Sequence, residues 1–104
     1  MNKLALFIKV KAQPGKREQV WQLWKELVKP HVEESDRLEV NCYCYDADNP
    51  DTICLFEIFS DASDFETANR SEWFAKYQER VKPFIAAPTE VVFAKPIWAK
   101  GVTL

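Results

Sequence analysis

Residues 39–59 read EVNCYCYDADNPDTICLFEIF. Glu39 to Asp46 is a run of β-favouring residues, and Thr52 to Phe59 is a second. Ala47-Asp48-Asn49-Pro50-Asp51 lies between them, and a short polar connection containing proline fits a hairpin loop. If the loop centres on Asp48-Asn49-Pro50, Cys44 stands opposite Cys54. Cys42, Cys44 and Cys54 then share one face, while Asn41, Tyr43 and Tyr45 share the other with Ile53, Leu55 and Glu57. A slip of one residue would move Cys54 to the opposite face.

Three cysteines so placed resemble a thiol or metal site. Zinc needs four ligands in a tetrahedron, and three sulfurs along a flat ladder fit that poorly. His31, the one histidine, belongs to a different element, and the chain has no Cys-x-x-Cys. The expectation is that the cysteines fill small apolar positions on the packed face and that no metal is bound.

Working outward, Leu4, Leu6, Ile8 and Val10 alternate with Ala5, Phe7, Lys9 and Lys11, the period of a strand. Lys9 and Lys11 interrupt the apolar run, so a strand explains it better than a leader segment does. Gln13-Pro14-Gly15 marks a turn. From Lys16 to about Lys29, Val20, Leu23, Trp24, Leu27 and Val28 recur at helical spacing. Pro30 predicts that this helix ends or kinks there. Ser63-Asp64-Phe65-Glu66 has the form of a capping box for the next helix, and Ser71 offers an N-cap for a further one carrying Trp73, Phe74, Tyr77 and Val81. Glu90 to Ala99 reads as a last strand, with Pro96 suggesting an edge or bulge near its end. The order β-α-β-β-α-α-β predicts an α+β, ferredoxin-like domain over 1–104: a four-stranded, mainly antiparallel sheet with helices on one face.

A chain of 104 residues with Trp 4, Tyr 3 and Phe 7 can fold around its own core. Its 14 basic residues are scattered among 16 acidic ones, which argues against a nucleic-acid partner. No stretch approaches the ~20 apolar residues of a membrane span. An odd cysteine count is no disulfide framework, and the expected setting is cytoplasmic with reduced thiols. Large apolar groups fall on both faces of the strands, so the uncovered face should pack against a second copy, sheet on sheet, as a homodimer.

The chain resembles the antibiotic biosynthesis monooxygenase superfamily of dimeric α+β barrels. The resemblance rests on Val10-Lys11-Ala12 before Pro14-Gly15, on Glu39 with Cys42-Tyr43-Cys44-Tyr45, on Asp48-Asn49-Pro50, on Leu55-Phe56-Glu57-Ile58-Phe59-Ser60-Asp61, and on Phe65, Ser71 and Phe74. It implies a small homodimer with a pocket between sheet and helices. Some relatives oxygenate quinols or polycyclic phenols with molecular oxygen and no bound cofactor, and others degrade haem or isomerise small metabolites. Where many relatives carry helical histidines, this chain has Ala68 and Trp73.

Two residues are candidates for proton transfer. Glu57, among aromatic and aliphatic neighbours, should be partly desolvated and could act as a general base. His31 could shuttle a proton, or cap the helix end beside Pro30. Asn41, Tyr43, Tyr45, Phe59, Trp73 and Tyr77 are candidates for holding a flat ligand. The leading expectation is a cofactor-independent monooxygenase acting on a small phenol or quinol. A non-catalytic binding dimer and an acid/base isomerase are the alternatives.

Overall fold

The computed structural model describes residues 2–104. Its strands are β1 (Leu4–Lys11), β2 (Leu38–Tyr45), β3 (Thr52–Phe59) and β4 (Glu90–Ala94). Its helices are α1 (Arg17–Leu27), α2 (Lys29–Glu34), α3 (Ala62–Asn69) and α4 (Glu72–Val81), with a 3-10 turn at Lys82–Phe84. The strands lie in the order β2-β3-β1-β4, antiparallel throughout, forming the open sheet of a ferredoxin-like α+β fold.

The hairpin register is the expected one. Cys44 faces Cys54, Tyr43 faces Leu55, and Asn41 faces Glu57. Local chemistry fixes the loop. The Asp46 carboxylate accepts from the backbone N–H of Asp48 (2.8 Å) and Asn49 (2.9 Å), an Asx turn that holds its pKa below the usual carboxylate value. Arg17 reaches across from α1, donating to the Asn49 carbonyl at 2.9 Å and the Thr52 carbonyl at 3.2 Å, with its guanidinium 3.9 Å over the Tyr45 ring. Gly15, at φ 75°, makes the turn before α1 and donates its N–H to Asp51 at 2.9 Å.

α1 and α4 cover one face of the sheet. Val20, Trp24 and Val28 pack with Val81 against Val10, Ile53 and Leu55 of the strands. Tyr43 enters this layer, its ring 4.8 Å from those of both Trp21 and Trp24. The cysteines therefore lie on the other side. Cys42 and Cys44 are exposed, Cys54 is half-buried, and all three share the open face with Phe7 and Phe56, whose ring centroids are 4.9 Å apart. This corrects the expectation that they fill the packed face. Both faces of the strand are apolar, and the bulky tyrosine, not the small thiol, fills the gap beneath the helices.

Other local expectations also shift. The first helix breaks at Val28, one residue early, because Pro30 starts a new helix instead of merely stopping the old one. In the first turn its missing N–H costs nothing. Asp61, not Ser63, caps α3, accepting from the Ser63 N–H at 3.0 Å. Ser71 caps α4 as expected. β2 has a bulge between Leu38 and Val40, and there Glu39 pairs with Lys3 and accepts from Ser60 at 2.6 Å. β4 ends at Ala94, ahead of Pro96, so the expected strand through Ala99 is cut to five residues.

Candidate functional site

Beneath α4 the helices do not fill the sheet completely. A cavity of about 280 Å³ remains. Its floor is Leu6, Leu55 and Glu57, and its roof is Trp73, Phe74 and Tyr77. Trp24 of α1 and Val28, just past its end, line it as well, as does Phe59.

Glu57 is the distinctive side chain here. It stands between Leu6 of β1 and Asn41 of β2, its direct cross-strand neighbours. Leu6 is almost wholly buried. Asn41 donates from Nδ2 to Oε2 of Glu57 at 2.9 Å. Burial raises the Glu57 pKa from 4.5 to about 7, and the Asn41 hydrogen bond offsets only part of that. Tyr77, from the roof, has its phenol pushed up to about 12 by the same loss of water. At neutral pH the cavity thus holds a carboxyl near its midpoint and a phenol that keeps its proton. A base of that strength can take a proton from an acidic hydroxyl, and a neutral phenol can donate to the oxygen left charged.

The other candidates are dispersed. Phe59 and Trp73 line the cavity. Asn41 acts on Glu57 without being part of the wall. The Tyr43 hydroxyl is buried with no hydrogen-bond partner among the described residues, and burial raises its pKa far above the ordinary value. Tyr45 lies outside, donating to Glu18 at 2.8 Å beneath Arg17. His31 does not line this cavity. It stacks on Trp73, with ring centroids 4.4 Å apart and planes 7° from parallel, at the edge of a separate outer groove. Sequence reasoning passed over Trp24 and Phe74 as wall residues, because a helical stripe reads the same whether it meets protein or a void.

On the open face, the Cys42 and Cys44 sulfurs are 3.5 Å apart. Hydrogen bonding to Cys42, with some burial, raises the Cys44 pKa. Among the described residues, no group of three or more His, Cys, Asp or Glu side chains is placed to hold a metal ion. Among them too, no helix is long and apolar enough to cross a membrane.

A ferredoxin-like sheet with a cavity under its helices is a general class. The family is narrower: residues 4–80 match the model of the antibiotic biosynthesis monooxygenase family, and the chain belongs to it. No curated protein matches the sequence. Solved structures share the fold. A candidate antibiotic biosynthesis monooxygenase from Chloroflexus aurantiacus J-10-fl is 19% identical over 97% of this chain and 99% of its own, with a TM-score of 0.81. Another, from Caulobacter crescentus CB15, is 10% identical over 93% and 92%, with a TM-score of 0.86. A protein of unknown function from Nitrosomonas europaea is 18% identical over 99% and 97%, with a TM-score of 0.81.

Proposed function

We propose that the protein is a cofactor-independent monooxygenase acting on a small, flat phenol or quinol with molecular oxygen. One observation carries this: a carboxyl with a pKa raised to about 7 on the wall of a largely apolar cavity. Glu57 takes the phenolic proton, and Tyr77 donates to the oxygen that becomes charged. Trp73 and Phe59 hold the ring. The electron-rich anion then reacts with oxygen directly. Conversion of a phenol with an unsubstituted para position to the quinone consumes one O₂ and releases one water. The C–H and O–H hydrogens supply that water, so the balance needs no outside reductant.

A second copy of the chain covers the open face, giving a homodimer. Phe7 at 51% exposure and Val92 at 61% stand there side by side with Phe56, an apolar patch of the kind interfaces use. Three free thiols fit a cytoplasmic setting. Binding without turnover is the second reading, and Asn41 favours it, because a partnered carboxylate can be purely structural.

Oxygen-electrode measurements over a panel of hydroquinones and naphthols test the proposal. Uptake above buffer that disappears in Glu57→Gln is expected. No uptake with any panel member would leave the binding reading in its place.

A further inference from the structure

The outer groove has a volume of about 290 Å³ and lies against the inner cavity. Val32, Leu38, Phe59, Ala68 and Trp73 line both. Trp73 is the largest part of this shared wall, and its indole is stacked on the His31 ring. The two chambers differ in chemistry. Inside, the buried polar groups are Glu57 and Tyr77. Outside, His31, Glu34, Arg37, Asp64 and Thr67 border the space.

The inner cavity is at the small end of ligand sites, which usually run from about 300 Å³ upward. It has room for a small ring system and little else. An arm that leaves the ring on the side of Trp73 crosses the shared wall into the outer groove. The outer groove then decides what the attachment can be. The groove carries both signs: a carboxylate arm would meet Glu34 and Asp64 as well as Arg37, and an ammonium arm would meet Arg37 as well as the two carboxylates, so neither finds a site of one sign. Arg37 spends its Nε on Asp64 at 3.0 Å, and its terminal nitrogens have no partner among the described residues. An uncharged hydroxylated arm can accept from those nitrogens and donate to Glu34 or Asp64.

Resting on the oxygenase or binding reading of the inner cavity, we infer that the ligand is bipartite: a flat aromatic ring in the inner chamber and a short, neutral, hydroxyl-bearing arm in the groove of Arg37, Asp64 and Thr67. Trp73 is the divider the arm passes, and its stack on His31 is the contact that adjusts to admit it.

Calorimetric titration with two probes tests this: 1-naphthol, the bare ring, and 3-(5-hydroxynaphthalen-1-yl)propane-1,2-diol, the same naphthol with its hydroxyl free and a neutral diol arm on carbon. The diol should bind about tenfold more tightly, the gain of one or two hydrogen bonds. In Arg37→Met and in Thr67→Val the ratio of the two affinities should fall towards one. Two exposed positions are used so that one poorly folded variant does not decide the matter. Naphthol binding with no advantage for the diol overturns the bipartite ligand and leaves the inner-cavity reading standing. An advantage that survives in both variants also overturns it. Binding of neither probe overturns both.

Discussion

Glu57 and Phe56 are adjacent in β3 and meet opposite fates. Glu57 points beneath the helices, where burial raises its carboxyl pKa and Asn41 restrains it. Phe56 points to the open face, against Phe7 and across from Cys42. The covered face carries a polar group in an apolar setting, and the open face carries a cluster of apolar groups around Phe7, Phe56 and Val92, with thiols beside it and Lys9 and Glu90 at one end. A polar group buried at a cost to stability is best explained by use, whereas apolar groups exposed at a cost to solubility are best explained by a partner.

The sharpest way to break this contrast is Glu57→Gln. Oxygen uptake on any active phenol should fall by about 10²–10⁴, the usual contribution of a general base. Unchanged uptake would remove Glu57 from the chemistry. Next comes the other face. Phe7→Asp places a charge in the patch and should convert a dimer into a ~12 kDa monomer by light scattering. In that variant Cys42 and Cys44 should react with a disulfide reagent much faster than in the parent. Equal rates in both would mean that nothing covers the face.

The third prediction concerns pH. Below pH 4.5 Glu57 is protonated whether the chain is folded or unfolded, so it contributes no pH dependence. Between 4.5 and about 7 the unfolded chain releases the proton while the folded one keeps it, and stability falls as pH rises through that window. The full penalty, about 3 kcal/mol, is present above it. Glu57→Gln should therefore match the parent at pH 4 and exceed it in urea unfolding at pH 8, at one fixed protein concentration. Activity should run the other way and rise through about pH 7. The smallest effect is Asp61→Ala, which removes the α3 cap and should cost about 1 kcal/mol while leaving both faces as they are.

The hairpin was legible from its loop chemistry and strand lengths, while its register was one choice of two that a one-residue slip separates, and the pairing of Cys44 with Cys54 settles it. Glu57 as the group to watch followed from that register. Which face the helices cover was not legible. Tyr43 and Cys42 both satisfy an apolar pattern, and only the space under Trp21 and Trp24 separates them. His31 sits near the site in sequence logic and outside it in space, because α2 turns it onto Trp73 and away from the floor. The cap of α3 was misread since Ser63 and Asp61 both satisfy a capping rule, and the extended backbone at Asp61 settles the choice.

The strand order has a consequence for how the chain is made. β1 lies between β3 and β4, and both partners follow it in sequence. As the polypeptide leaves the ribosome, LALFIKVK emerges ahead of Thr52–Phe59 and must wait for that strand to be synthesised before it can pair. At ordinary elongation rates that wait lasts seconds, with an apolar, β-prone segment exposed throughout. The neighbouring hairpin, by contrast, can close on itself as soon as it appears. Lys9 and Lys11 are the charges on this strand, and charges so placed oppose the pairing of a waiting strand with copies of itself.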